Sequence, residues 1–314
     1  MNEKSRSVGG RLKGCFQQSW LRALKTAWWM IRIMLPVSLV VMFLQYFGLL
    51  SYISNFLTPV FKHIGLPGES ALVYITSFFL SVYAAIAVIG TLALDMREIT
   101  ILAIMCLIAH NMIIETAIQK RTGSSAVRVV IVRTVCSFVG AILLNLILPK
   151  ETLANVSVHK AVQYTGLLNV LEVWFNGSFW ISLKVVIVVT SLMFIQKILD
   201  EFGIMKVLSA IFRPLMKPMG LSEKISFHWI IANTIGLTYG SAIMFEQVET
   251  KKISLKDADF LNQHIAVSHS LLEDTLLFVT IGVSAVWITF PRVAIAIVVV
   301  WLYRAEQKIF KNSI

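Results

Sequence analysis

Long apolar runs recur along the chain at 27–48, 71–93, 98–118, 129–148, 178–196, 225–245, 260–281 and 284–302, separated by shorter stretches that carry most of the Lys, Arg, Pro and Gly. Each is close to the ~20 residues an α-helix needs to cross a hydrocarbon core of about 30 Å. The pattern predicts an all-α integral membrane protein. Two runs contain small or polar residues at their centres, SVYAA at 81–85 and ANTIGLTYGS at 232–241. A turn at membrane depth needs such residues, and its unpaired N–H and C=O groups survive only where protein or a wet cavity covers them. Runs 71–93 and 225–245 are therefore expected to fold back as re-entrant helical hairpins, while the other six cross.

Charge supports that reading. Folding the two runs back gathers the loop Lys and Arg on one side more strongly than eight straight crossings would, as the positive-inside rule requires. Both termini, 120–127 and 249–257 then lie on the cytoplasmic side of what is expected to be a bacterial inner membrane, with 94–97 and the 149–178 linker outside. The net charge of +11 belongs to this loop pattern and not to nucleic-acid binding. With 57% hydrophobic and 14% charged residues and a mean hydropathy of +0.77, the composition leaves the lipid bilayer as the expected surroundings. No cleavable signal is expected, because the first apolar run is too long for one. Cys15, Cys106 and Cys136 form no Cys-x-x-Cys pair and suggest neither a disulfide framework nor a thiolate metal site.

The chain also resembles itself. FLTPVFKHIGLPGE from Phe56 matches IFRPLMKPMGLSEK from Ile211, which sets Pro59 over Pro214 and Gly65 over Gly220. AHNMIIET then matches SHSLLEDT, placing His110 over His269, Glu115 over Asp274 and Thr116 over Thr275, and the same offset places Arg133 over Arg292. The offset grows from 155 to 159, which implies a short insertion near 249–252. The expected organisation is a basic cytoplasmic segment 1–26, a first repeat 27–149, a linker 150–172 with an amphipathic segment, a second repeat 173–305 and a cytoplasmic tail 306–314. Three crossings plus one hairpin per half make the repeats inverted in topology, a recurrent plan of secondary transporters.

The polar residues shared by the two repeats are the candidate chemistry. On an unbroken helix from near Asp257, His269 lies about 18 Å in, close to the midplane. Asn111 with Glu115, Ser270 with Asp274, and His269 with Glu273 would be i, i+4 neighbours on such helices. Arg133 and Arg292 each follow a carboxylate by 18 residues across a predicted turn, so Glu115 is expected to face Arg133, and Asp274 to face Arg292, as buried ion pairs. His110, His269 and Glu273 lack an assigned partner. The hairpin tips carry Asn233, Thr238, Tyr239 and Ser241 in one repeat and Ser81 and Tyr83 in the other. His269 and Glu273 are expected to face the tip near Asn233 and Tyr239, and His110 and Glu115 the tip near Ser81 and Tyr83. The candidate binding set is therefore these residues with Thr116 and Thr275.

His264 and His269 are five apart and point about 140° apart on a helix, so they are poor co-ligands; the residues leave open whether a metal is held. Trp28, Trp29, Trp174, Trp180 and Trp301 fit interfacial belts better than a binding platform. Ser270, His269 and Asp274 lie on one short stretch and cannot form a catalytic triad, so no enzyme and no cofactor is expected.

The doubled Pro-containing GL segment, the hairpin, the His-containing polar helix and the Arg helix after it resemble the nucleoside-recognition, or Gate, domain family. Two such domains in one chain look like a fusion of spore-maturation proteins A and B. The same domain is similar to parts of concentrative nucleoside transporters and ferrous-iron permeases, and the likeness implies a solute path between two inverted gate units. Neither Cys106 nor Cys136 matches the membrane cysteines of the iron branch. The expected function is a secondary transporter or permease for a small polar solute or ion, with a midplane site at the interface of two inverted repeats. The alternative is a non-transport scaffold or lipid-headgroup binder acting through a partner; a homo-oligomer is compatible with either. A continuous wet cavity reaching the His and Glu residues would favour transport, and a dry, fully paired cluster the scaffold.

Overall fold

The computed structural model describes residues 8–149 and 166–311, and all regular structure in them is helical. The first series is α1 (Val8–Tyr46), α2 (Leu49–Lys62), α3 (Ser70–Phe79), α4 (Val82–Ile89), α5 (Met96–Ala109), α6 (Met112–Arg121) and α7 (Ala126–Ile147). The second is α8 (Leu167–Glu201), α9 (Ile204–Met216), α10 (Ser226–Thr234), α11 (Leu237–Glu249), α12 (Leu255–Ser268), α13 (Glu273–Val279) and α14 (Ala285–Lys311). Five stretches are long and apolar enough to cross a membrane: Val8–Leu44, Met96–Arg121, Ala126–Ile147, Leu167–Glu201 and Ala285–Ile309. The chain is an all-helical membrane protein. α1 starts well before the first apolar run, and α8 starts inside the span expected as linker; of that linker, 150–165 and the bulk of its amphipathic segment lie outside the described residues.

The two series repeat in backbone detail. Gly65 and Gly220, 155 residues apart, close the turns after α2 and α9 with φ of 76° and 75°, a left-handed conformation that costs any residue with a Cβ. Asp95 and Ser254, 159 apart, cap α5 and α12 by accepting from the backbone N–H three residues on. The step in offset falls across α4 and α11, which are 8 and 13 residues long. The extra residues lie at the end of α11, where the sequence comparison expects an insertion.

Equivalent helices run in opposite directions. α1 and α8 pack antiparallel along their length: Arg11 pairs with Glu201 at 3.0 Å, Phe16 stacks edge-on against Phe194, and Trp174 Nε1 donates to Ser38 Oγ at 3.0 Å. Loop contacts are exchanged reciprocally. Gly123 packs on Leu255, and its counterpart Gly282 packs on Met96, the counterpart of Leu255. Such an exchange is the signature of a two-fold relation between the halves. It sets α5–α6 and α12–α13 side by side and head to tail.

Runs 71–93 and 225–245 are each broken in the middle, at Leu80–Ser81 and at Ile235–Gly236. In the second, α10 and α11 fold onto each other so closely that a Cβ on Gly240 would sit 3.1 Å from Ala232 Cα. The Pro-containing segments are not simple loops. They form amphipathic helices α2 and α9, with Phe56, Val60, Val207 and Ile211 exposed on one side and Phe61 and Met216 buried on the other. In a membrane protein, exposed helix sides carrying such large apolar residues suit contact with the acyl chains near the interface.

Candidate functional site

The polar helices are not continuous. α5 stops at Ala109 and α6 begins at Met112; α12 stops at Ser268 and α13 begins at Glu273. Asn111 and Ser270 sit at the breaks with φ of 46° and 52°. An i, i+4 face through His269 and Glu273 therefore does not exist, because the histidine ends one helix and the glutamate starts the next.

Breaking a buried helix orphans carbonyls at its C-terminus and N–H groups at the next N-terminus. The arginines satisfy the first set. Arg133 donates from Nε to Ile108 O at 2.8 Å and from Nη2 to His110 O at 2.6 Å. Arg292 repeats this from Nε to Val267 O at 3.2 Å and from Nη2 to His269 O at 2.6 Å, and it also reaches Leu107 O of the other repeat at 3.2 Å. A planar cation with several donors at the negative end of a helix suits this position. The hairpins take up N–H groups at the breaks: Asn111 donates to Ser77 O at 2.9 Å, Ser270 to Ala232 O at 3.0 Å and Leu272 to Asn233 O at 3.0 Å.

Because the breaks are equivalent and head to tail, their side chains meet. His110 Nε2 lies 3.4 Å from His269 Nε2. Glu115 bridges both rings, with Oε1 3.1 Å from His110 Nε2 and Oε2 3.0 Å from His269 Nε2, and the same carboxylate pairs with Arg133 Nη2 at 2.7 Å. Asp274 Oδ2 lies 3.3 Å from His110 Nε2. These five side chains and that of Arg292 are buried, the two arginines completely. Each histidine points Nδ1 at the carbonyl four residues back, Cys106 O at 3.0 Å and Ile265 O at 2.7 Å. A carbonyl only accepts, so Nδ1 carries the proton and Nε2 faces the cluster.

The structure thus brings together His110, Glu115, Arg133, His269 and Asp274. Glu115 pairs with Arg133 as expected. Asp274 does not pair with Arg292 in the same way: Asp274 approaches His110, while the Arg292 fork is taken up by backbone carbonyls. Tyr83 crosses to the other repeat, its hydroxyl donating to Glu273 Oε1 at 3.1 Å, whereas the sequence places it beside His110 and Glu115. Ser81 serves locally, accepting from Ala84 N at 3.2 Å as the cap of α4. Asn233 donates to Trp229 O at 2.8 Å, and Gly236 of the same tip approaches Ser270 and Glu273. The side chains of Thr238, Tyr239 and Ser241 lie outside the described residues. His264 turns away to accept from Trp229 Nε1 at 3.2 Å.

Other cross-repeat contacts escape sequence reasoning. Gln119 and Asn262 interlock, Gln119 Nε2 donating to Asn262 O at 3.1 Å and Asn262 Nδ2 to Thr122 Oγ1 at 2.8 Å. Ser124 donates to Asp259 at 2.5 Å. Buried amide side chains next to the polar run are the only sequence signal for this seam.

Several buried polar atoms around the cluster have no hydrogen-bond partner: Nη1 of Arg133 and of Arg292, Oγ1 of Thr116 and of Thr275, and Oδ1 of Asn233. A cavity of 20 Å³, room for about one water, lies where Tyr83, Lys184 and Thr280 converge, and neither His110 nor His269 lines it.

Residues 27–144 match the model of the Gate family, described as nucleoside recognition. The chain is 28% identical over 306 residues to "Uncharacterized membrane protein YvoD" of Bacillus subtilis (strain 168), an alignment covering 96% of this chain and 98% of the relative. No solved structure matches.

Proposed function

We propose that this membrane protein, which carries a Gate domain over residues 27–144, is a secondary transporter or permease for a small polar solute or ion, held in a closed conformation. The observation that carries the reading is the meeting of His110, His269, Glu115 and Asp274, from two equivalent helix breaks, with Glu115 at 3.0–3.1 Å from both rings, the rings 3.4 Å apart and Asp274 3.3 Å from His110. Broken helices meeting near a two-fold relation between repeats are the arrangement with which transporters bind solutes. An apolar contact would hold two helices together at far lower cost than buried charges, each of which loses several kcal/mol of hydration. The unpartnered Arg133, Arg292, Thr116, Thr275 and Asn233 atoms supply donors and acceptors for a bound species or its water.

The Tyr83–Glu273 bond and the carbonyl-bound histidines favour the second reading, a closed polar joint in a membrane scaffold. The two differ in what they require of the cluster. In the transporter, His269→Gln abolishes solute response in a folded, inserted protein. In the scaffold, the same change alters stability alone. Thermal stabilisation of purified protein by nucleosides, organic anions, divalent ions and lipid phosphates, compared between wild type and His269→Gln, tests this. A class that stabilises wild type and loses its effect in the variant supports transport binding; equal behaviour throughout sinks it.

A further inference from the structure

We propose that His110, His269 and Asp274 form a site for a divalent first-row transition ion, which names the ion class of the solute reading above and rests on it for function but not for binding. Three observations converge. First, both imidazoles are held in one tautomer: each Nδ1 donates to a backbone carbonyl four residues back, so each Nε2 presents a lone pair. Metal-bound histidines are oriented in this way by a backbone or carboxylate acceptor at the other nitrogen. Second, the two Nε2 atoms face each other at 3.4 Å with the Glu115 carboxylate 3.0–3.1 Å from both, a crowd of lone pairs that repels unless protons or a metal cation lie among them. Two nitrogens bound tetrahedrally at about 2.0–2.1 Å are about 3.3 Å apart, so the rings already have the spacing of one edge of such a site.

Third, the carboxylate is in place. Asp274 Oδ2 is 3.3 Å from His110 Nε2, and the three donor atoms all lie within 4.8 Å of one another. Glu115 pairs with Arg133 at 2.7 Å and also lies 3.0–3.1 Å from both ring nitrogens, so it is the adjoining counter-charge and a further oxygen at the edge of the site. Two neutral imidazoles and one carboxylate select a borderline ion such as Zn²⁺, Co²⁺ or Fe²⁺ over Mg²⁺ or Ca²⁺, which need more oxygen donors. Three protein ligands leave a fourth position open, which suits an ion that must exchange more than a structural one. Glu273, half-buried and bonded to the Tyr83 hydroxyl at 3.1 Å, is the residue next to Asp274 on α13.

The test uses full-length protein in detergent, stripped with chelator and titrated with Zn²⁺ and Co²⁺. The expected result is one ion per chain, visible Co²⁺ bands of a four-coordinate site, X-ray absorption showing two imidazoles on Zn²⁺, and no competition from Mg²⁺. His110→Gln, His269→Gln and Asp274→Asn each remove a ligand and are each expected to weaken binding by more than the about 10–100-fold that loss of an outer-shell partner costs. Folded wild type that takes up neither ion, a Zn²⁺ shell without imidazole, or undiminished binding in a folded His110→Gln/His269→Gln double variant overturns the site. The first two readouts need no variant. A proton shared between the rings in place of a metal belongs to the first of these outcomes. Zn²⁺ bound here without Zn²⁺ flux in proteoliposomes would remove the transport reading and leave the site; flux of another solute that depends on Glu115, without metal binding, would do the reverse.

Discussion

Arg292 is joined to His269 through the histidine's backbone and not its ring: Nη2 donates to His269 O at 2.6 Å, as Arg133 Nη2 does to His110 O. The two arginines therefore act first as caps on broken helices, and only Arg133 adds a direct carboxylate pair, to Glu115 at 2.7 Å.

That asymmetry predicts two different double-mutant cycles. Removing Arg133 or Glu115 singly leaves a buried partner uncompensated, at about 3–5 kcal/mol, and the Arg133→Met/Glu115→Gln double variant should recover part of that loss. Contacting residues couple by about 0.5–3 kcal/mol. Arg292→Met/Asp274→Asn should show coupling at the low end of that range or below. Thermal unfolding in detergent reads both cycles, and equal coupling would mean that Asp274 and Arg292 meet as Glu115 and Arg133 do.

Tyr83 and Glu273 supply the second prediction. Tyr83→Phe leaves a half-buried carboxylate without its donor and should cost about 1–3 kcal/mol. Glu273→Gln keeps an acceptor for the tyrosine hydroxyl and should cost clearly less. Because the bond ties one hairpin to the opposite repeat, Tyr83→Phe should also speed hydrogen exchange at both α4 and α13. Faster exchange at α4 alone would show that the bond does not join the repeats.

The paired glycines give the third. Gly220→Ala places a Cβ 2.8 Å from Val300 Cγ1 at a φ of 75°, and Gly65→Ala drives one into the Asn145 side chain at a φ of 76°. Left-handed backbone alone costs a residue with a Cβ about 1–2 kcal/mol, so both changes should exceed that. Gly14→Ala, inside α1 with nothing within 4 Å, should stabilise by about 0.5–1 kcal/mol. Melting temperatures that fall alike in all three would contradict the turn assignment.

The helices, the interruptions of 71–93 and 225–245 and the doubling of the polar cluster are legible in the sequence because each rests on local composition or self-similarity. The breaks at His110 and His269 are not. Neither contains Gly or Pro, and the flanking residues are as helix-compatible as the rest of the run; Asn111, a residue that tolerates left-handed backbone, is a faint hint, and Ser270 is none. What permits the breaks is distant in sequence: Arg133 and Arg292 capping from α7 and α14, and hairpin carbonyls accepting the freed N–H groups. Repeat alignment identifies His110 and His269 as equivalents but not that they touch. It likewise leads to Tyr83 being placed with its own repeat, whereas a two-fold relation sends it across to Glu273. Self-similarity marks the segments around Pro59 and Pro214 as equivalent without assigning them a structure, and both prolines lie inside helices, α2 and α9.

The last prediction concerns sidedness. Ser124 bonds to Asp259, Gly123 packs on Leu255, and Arg128 pairs with Glu306, so the loop between α6 and α7, the start of α12 and the end of α14 share one side of the molecule. Gly282 packs on Met96 and fixes the start of α5 beside the loop between α13 and α14 at the other end. Straight crossings by 71–93 and 225–245 would separate residues 123 and 255 by the whole membrane, whereas hairpins keep them together. The positive-inside rule assigns the first side, with its Lys and Arg, to the cytoplasm. Single cysteines at Gly123, Lys256 and Lys308 in a background lacking the three native ones should therefore all resist an impermeant thiol reagent in intact cells and react after permeabilisation, while one at Gly282 should react from outside. Labelling of Gly123→Cys but not Lys256→Cys in intact cells would break the hairpin arrangement and the two-fold relation with it; labelling of all three cytoplasmic positions, with Gly282→Cys protected, would keep the fold and turn it over in the membrane.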